Sequence, residues 1–278
     1  MSIKKQITVL CISSYEKGHD FLRECKEQGC RVLLLTSKSL ENANWPGEAI
    51  DETFYIQDKN KEWNMRDVIY GVSFVARKEK IDRIVALDDF DVEKAAALRE
   101  HLRVPGMGDT TARYFRDKFA MRLRAREMNI SVPEFIHILN HSDINEFADK
   151  VPFPYMIKPR MLAGAHGLKK VNSKDEMWNR INNLGDEQSF YLMERFIPGN
   201  IYHVDLYRVS DEEELRYLGW NELDHGCRLV EWPDRAPGLT AQADLALEFS
   251  YAGDGRNVEA TALSDRAQAV VEELQVSS

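Results

Sequence analysis

The chain has 278 residues, 44% hydrophobic and 30% charged, enough for two modest domains or for one α/β domain with an appendage. A formal net charge of −9 argues against a general polyanion-binding surface and leaves a local basic patch open, so no direct nucleic-acid binding is expected. No stretch approaches the ~18 apolar residues of a membrane span, the apolar run at 7–12 is too short for a signal segment, and the four cysteines form no C-x-x-C pair; the expectation is a cytoplasmic protein with buried free thiols.

Ile7 to Ile12 reads as a first strand. Glu16 to Gln28 reads as a helix with Phe21, Leu22 and Cys25 on one side, stopped by Gly29. Arg31 to Thr36 is apolar without alternation, the mark of a strand buried on both faces. A helix near Trp63 to Lys78 and a strand from Asp82 to Leu87 follow. This alternation implies a doubly wound parallel sheet. Asp88, Asp89 and Asp91 come next. They are either a carboxylate cluster at the ligand-binding edge of the sheet or caps for a helix from Val92 to Leu102. Capping is the preferred reading for at least two of the three.

Asp109-Thr110-Thr111 opens a long predicted helix reaching Met128, with Phe115, Phe119 and Leu123 as its buried stripe. Arg113, Arg116, Lys118, Arg122, Arg124 and Arg126 fall on the other face. In an acidic chain this reads as a solvated face with phosphate contacts at one end, ahead of a nucleic-acid surface. Beyond a break at 129–133, a helix is predicted over 142–150 and a strand over Tyr155 to Pro159. A loop runs from Arg160 to Gly167. Ser173 and Glu176 form a capping box for a helix to Asn183, and a strand at Ser189 to Met193 leads into 194–199.

Lys118, Lys158, Gly164, Gly167 and the stretch Glu194 to Ile197 occur in the order that an ATP clamp requires. Lysines neutralise phosphates, a glycine loop brings N–H groups to them, and a linker reads the base. The segments LDDFDVEKAAALREHLRVPGM, RDKFAMRLRAREMNISVPEF, YMIKPRMLAGAHG and YLMERFIPGNIYHVD resemble the ATP-grasp family, in its carboxylate–amine ligase and carboxylase-like branch. The resemblance implies ATP and Mg²⁺ as cofactors and a small carboxylate substrate, activated as an acyl phosphate for ligation. It places Lys118 and Lys158 on ATP phosphates, with Lys158 also near the adenine. It makes Gly164 to Gly167 the phosphate lid, with His166 where the family often has serine. Backbone groups of Glu194 and Phe196 would meet the adenine, and the Glu194 carboxylate the ribose. The family's downstream Glu-x-Asn magnesium pair is absent after Asp205.

From Tyr202 the text changes. A strand is read over 202–208, with His203, Asp205 and Tyr207 on one face. Ser210 to Glu213 is a capping box for a short helix closed by Gly219, and a strand at 228–234 carries Glu231. Leu245, Leu247, Phe249 and Tyr251 alternate, Gly253-Asp254-Gly255 turns the chain, Val258, Ala260 and Ala262 alternate back, and Ser264 caps a last helix. YHVDLYRVSDEEELRYLG, LVEWPDRA and this hairpin resemble the C-terminal half of the TsaE family of bacterial P-loop ATPases, which act in tRNA threonylcarbamoyladenosine biosynthesis. The resemblance implies Asp205 and Glu231 as Mg²⁺ ligands with Trp232 beside them, and threonylcarbamoyl-transfer proteins as partners. A solvent-facing strand end is the equal alternative for Glu231. No Gly-Lys dipeptide occurs, so the P-loop is missing, and 106–111 does not replace it.

The expected architecture is therefore α/β: a doubly wound parallel pre-ATP-grasp domain (1–108), an incomplete ATP-grasp region with α+β lobes (109–205), and a TsaE-like α/β tail without its P-loop (202–278). Three functional readings follow. One is an ATP-grasp ligase whose turnover requires Asp205 and Glu231 to replace the missing ligands. The second is a TsaE-like ATPase or partner module, and the third a chimera without a complete catalytic site. Lacking its central strand, the tail must pair with the strand at 191–193 or stand apart, and it is expected to be less ordered from Asp211 onward.

Overall fold

The computed structural model describes residues 6–59, 62–162, 167–211, 213–215, 220, 223, 226–253 and 255–276. It divides into two compact units, Met1–Phe196 and Ile197–Ser278.

The first unit begins with β1 (Thr8–Ser13), α1 (His19–Glu27), β2 (Arg31–Ser37), β3 (Glu52–Ile56), the short strands β4 (Asp58–Lys59) and β5 (Glu62–Trp63), α2 (Met65–Val75), β6 (Arg83–Ala86) and α3 (Val92–Leu102). The sheet order is β3-β2-β1-β6, every pairing parallel. Leu10, Ile12, Leu33 and Leu35 pack with Val68, Val72 and Leu98 of α2 and α3. Val9, Cys11, Val32 and Leu34 pack with Leu22 of α1. Alternate residues of each strand thus enter cores on opposite faces, which is why β1 and β2 lack polar alternation. β2 and β3 lie on one side of β1 and β6 on the other, so the order reverses between β1 and β6.

Several expectations are corrected in this unit. Trp63 belongs to β5, where its Nε1 donates to Ser37 Oγ at 2.8 Å. The helix starts at Met65 because Asn64 caps it, accepting from Arg66 N (2.9 Å) and Asp67 N (3.4 Å). Of the three aspartates only Asp88 caps, accepting from Phe90 N at 3.0 Å. Asp91 is fully buried and accepts from Ser14 N (2.7 Å) and Ser14 Oγ (3.0 Å), tying the end of β1 to the start of α3. Asp89 pairs with Arg116 at 3.3 Å.

The long predicted helix is two: α4 (Asp109–Arg116) and α5 (Lys118–Glu127). Asp117 between them is extended, and its carboxylate caps α5 through Phe119 N (2.9 Å) and Ala120 N (3.5 Å). The break resets the helical phase. Phe115 is therefore exposed, while Ala112 and Arg116 are buried.

The unit continues with β7 (Phe135–His137), α6 (His141–Lys150), β8 (Tyr155–Pro159), β9 (Lys169–Val171), α7 (Lys174–Asn182) and β10 (Tyr191–Arg195). These strands form an antiparallel sheet ordered β7-β10-β8-β9. Tyr155, Ile157, Val171 and Met193 pack on Ile144 of α6 and on Met177 and Ile181 of α7. Ser173 caps α7 through Glu176 N (3.2 Å), but Glu176 reaches Asn172 N (2.9 Å) rather than Ser173, so the capping box is half formed. Residues alternating with the core set, Met156, Lys158 and Glu194, fall on the opposite face.

The second unit contains β11 (Ile201–Asp205) parallel to β12 (Cys227–Glu231), α8 (Pro237–Thr240), the hairpin β13 (Leu245–Ala252) and β14 (Gly255–Ala262), and α9 (Asp265–Val276). Its small core comprises Leu206, Val209, Leu215, Ala236 and Leu239. Among the described residues β11 pairs with β12 and not with β10. β11 ends at Asp205, so Tyr207 lies beyond the strand in which it was expected. Asp211, not Ser210, supplies a capping carboxylate, accepting from Glu213 N at 2.9 Å. Glu212, Gly219 and Asp254 lie outside the described residues. Ser264 caps α9 through Ala267 N at 3.3 Å, as expected. All four cysteines are free, but only Cys11 is buried, and Cys227 is exposed. No described helix is long and apolar enough to cross a membrane.

Candidate functional site

Lys118 is the first residue of α5, and Lys158 is the fourth of β8. Burial is the largest cause of a lowered Lys118 pKa, and the Lys158 charge is the next, followed by that of Arg116. The Lys118 ammonium donates to the Leu162 carbonyl (2.5 Å) and, more weakly, to the Arg160 carbonyl (3.5 Å). Its backbone N donates to the same Arg160 carbonyl at 2.9 Å. Lys158 Nζ forms a short ion pair with Glu194 Oε1, and Arg122 Nε holds Glu194 Oε2 at 3.2 Å. Glu194 is only 7% exposed. A buried carboxylate needs such partners, since desolvation otherwise outweighs any Coulombic gain.

The structure therefore brings Lys118, Lys158 and Glu194 together. Phe196 follows directly, its N donating to the Pro154 carbonyl at 2.9 Å and its ring lying 4.1 Å from Lys170 Nζ. Gly167 has φ +76, and a Cβ there would come 2.9 Å from Pro159 Cγ, so only glycine fits without strain. Gly164 and His166 lie outside the described residues.

Sequence reasoning left out three supporting residues. Arg122 sits one helical turn beyond Lys118, a spacing that could have flagged it. Arg160 forms a two-pronged ion pair with Asp117, including Nε to Oδ1 at 3.0 Å, and also donates to the Ser189 carbonyl at 3.1 Å. Burial acts to raise the Asp117 pKa, but Arg160 and the two capping N–H groups outweigh it and hold the pKa below the usual carboxylate value. This pair crosslinks the α4–α5 junction to the end of β8. The expected solvated arginine face is corrected accordingly. Arg116 is buried, Arg122 binds Glu194, and Arg126 lies over Phe135 at 4.8 Å. A cavity of about 570 Å³ opens elsewhere, beside α7 and β9, and neither Lys118 nor Lys158 lines it.

In the second unit Asp205 and Glu231 are cross-strand partners at the ends of β11 and β12, and both are exposed. Asp205 Oδ1 accepts from Tyr207 N at 2.9 Å, and Glu231 Oε1 lies 2.8 Å from His203 Nε2. Trp232 adopts a left-handed conformation (φ 59), an outlier for a bulky residue, and its ring packs against Tyr207 at 5.3 Å. Among the described residues no group of three or more His, Cys, Asp or Glu could hold a metal ion. The donor chemistry still suits Mg²⁺, which is commonly held by one or two carboxylates together with water and phosphate.

A parallel open sheet followed by an antiparallel lobe, one face of which carries Lys158 and Glu194 with α5 beside them through Arg122, is an ATP-grasp-type fold. An L-amino acid ligase from Bacillus licheniformis superposes with a TM-score of 0.54 at 18% identity, over 70% of this chain and 45% of that one. The L-arginine-specific L-amino acid ligase of Bacillus subtilis is 25% identical over 137 residues, 47% of this chain and 33% of that protein. The chain thus spans less than half the length of these ligase relatives. Its C-terminal part gives the family: the chain belongs to the TsaE family, whose model, threonylcarbamoyl adenosine biosynthesis protein TsaE, matches residues 182–258. The tRNA threonylcarbamoyladenosine biosynthesis protein TsaE of Haemophilus influenzae is 32% identical over 117 residues, covering 40% of this chain and 73% of that protein.

Proposed function

We propose that the first unit binds ATP in the manner of ATP-grasp ligases, with Lys118 and Lys158 on the phosphates and Glu194 at the ribose. The observation that carries this reading is the cluster in which Lys158 and Arg122 share the buried Glu194 carboxylate, with Lys118 one turn before Arg122 on α5. Two neighbouring cations in a half-buried place call for a multiply charged anion. Nucleotide entry would exchange partners. Phosphate takes Lys118 from the Leu162 carbonyl and Lys158 from Glu194, and the freed carboxylate accepts from ribose hydroxyls. Gly164, His166 and Gly167 would complete the lid, and backbone groups of Glu194 and Phe196 would meet the adenine. If the chain turns over, ATP activates a small carboxylate as an acyl phosphate.

The test is Mg·ATP binding, measured by thermal shift on the wild type and on Lys158→Ala. A ligand bound to the native state alone raises the melting temperature by mass action. A shift in the wild type that is lost in the variant supports the reading. No shift in the wild type, or an equal shift in both, refutes it.

A second reading is favoured by the family match at 182–258. In it the TsaE-like segment docks on threonylcarbamoyl-transfer proteins, with Mg²⁺ at Asp205 and Glu231. Co-purification with those proteins, lost on removal of residues 202–278, tests it. We also propose 1–108, 109–205 and 202–278 as the functional segments of the chain.

A further inference from the structure

Arg116 ends α4 with its side chain only 8% exposed. A guanidinium carries five N–H donors. Among the described residues its hydrogen bonds are few and long: Nη1 to Asp89 Oδ2 at 3.3 Å and Nη2 to the Met161 carbonyl at 3.4 Å. The buried Nε has no hydrogen-bond partner among the described residues. Its Cζ lies over the Phe90 ring, 5.3 Å from the ring centre. A buried and under-satisfied arginine is costly unless something else completes its bonding.

Its neighbours indicate what. Lys118 binds the carbonyls of Arg160 and Leu162, and Arg116 binds that of Met161 between them. Two cations therefore clasp three successive carbonyls. The contacts also set an order among the cations. Lys158 and Arg122 touch Glu194 near the end of β10. Lys118 comes next, and Arg116 follows, reaching Asp89 beyond the carboxyl end of β6. A nucleotide with its base at the hinge would extend its phosphates along this series, and its last phosphate would arrive at Arg116. Charged phosphoryl oxygens are stronger acceptors than backbone carbonyls, and a guanidinium suits them bidentately.

We propose that Arg116 binds the terminal phosphate of the nucleotide and sets the preference for a triphosphate over a diphosphate. This rests on the ATP-binding reading above and assigns a role to a residue outside the Lys118–Lys158–Glu194 set. Asp89 is the counter-charge that phosphate must displace. At 74% exposure it can be changed with little effect on folding.

The experiment is calorimetric titration of the full chain with ATP and with ADP, both with Mg²⁺. The wild type should favour ATP by about tenfold, the scale of one charge-assisted hydrogen-bond set. Arg116→Gln should bring the ATP/ADP ratio near one while leaving ADP affinity unchanged, and Arg116→Lys should fall between. Asp89→Asn should raise the ratio. A purely structural role would weaken both nucleotides together and leave the ratio alone. An unchanged ratio in both Arg116→Gln and Asp89→Asn overturns the proposal. If Arg116→Gln does not fold, Asp89→Asn decides it. Absence of any nucleotide binding in the wild type sinks the ATP reading itself, and this assignment with it.

Discussion

Glu194→Gln is the most informative single change in the first unit. Glutamine keeps the shape of the side chain and removes its charge, so Lys158 and Arg122 lose their shared counter-ion with Lys118 close by. Breaking a fully buried pair by removing one partner costs about 3–5 kcal/mol. A surface pair is worth about 0–1 kcal/mol. The Glu194, Lys158 and Arg122 side chains are 10%, 13% and 26% exposed, nearer the buried limit. A loss of roughly 2–4 kcal/mol follows after discounting for partial solvation. For a unit of this size each kcal/mol moves the melting temperature by about 2–4 °C, so a fall of roughly 5–15 °C is expected by differential scanning calorimetry. Pyrophosphate should recover more of that fall in the variant than it adds to the wild type, because it supplies the missing negative charge. A fall under about 2 °C, or equal rescue of both proteins, would refute the view that this carboxylate neutralises an anion-binding cluster.

Asp117 has a pKa below its usual value, so its contribution is present above the unfolded value near 3.8 and is lost as pH falls through the folded one. Asp117→Asn should therefore destabilise the protein at pH 7 and converge with the wild type as the pH falls through the folded value, as read by urea unfolding; parallel curves would contradict this. Combining Asp205→Asn with Glu231→Gln should abolish any Mg²⁺ binding by the isolated second unit in a calorimetric titration, and retained binding would remove these carboxylates from the metal site. Amides of β13 and β14 should exchange with deuterium far faster than those of β1 and β2, since most hairpin side chains are exposed and every β1 side chain is buried; uniform protection would overturn that reasoning.

The parts of the fold legible in the sequence are those governed by local rules. β1, β2 and β6 follow from continuous apolar runs, and the hairpin from strict alternation around a glycine turn. Val92–Leu102 and Tyr155–Pro159 fall at their expected bounds. The sequence could not show that Asp117 would stop one helix and start another. An Asp within a basic amphipathic run reads as one more surface charge until Arg160, 43 residues later, is seen to hold it. The same break moved Arg116 from an expected solvated face into the interior. Partners distant in sequence decided the site in the same way. Lys158 and Glu194 were both anticipated as nucleotide contacts, but their pairing through β8 and β10 depends on strand register, which no single segment encodes.

The second unit raises a different physical question. β11 and β12 turn Val204 and Val230 toward the small core, and leave Ile201, His203, Asp205, Cys227, Leu229 and Glu231 on an open face. A parallel pair is normally covered on both sides. This face carries two carboxylates at adjacent positions, and burying them without compensating partners would cost more than the neighbouring Ile201 and Leu229 would return. Closure by a purely apolar surface is therefore unfavourable. A cation, or a partner bringing positive charge, resolves the conflict, because it neutralises Asp205 and Glu231 while the aliphatic neighbours are covered. The same accounting explains why His203 leans on Glu231 at 2.8 Å and why Asp205 accepts from Tyr207 N at 2.9 Å, two polar contacts by which the open face answers its own charge.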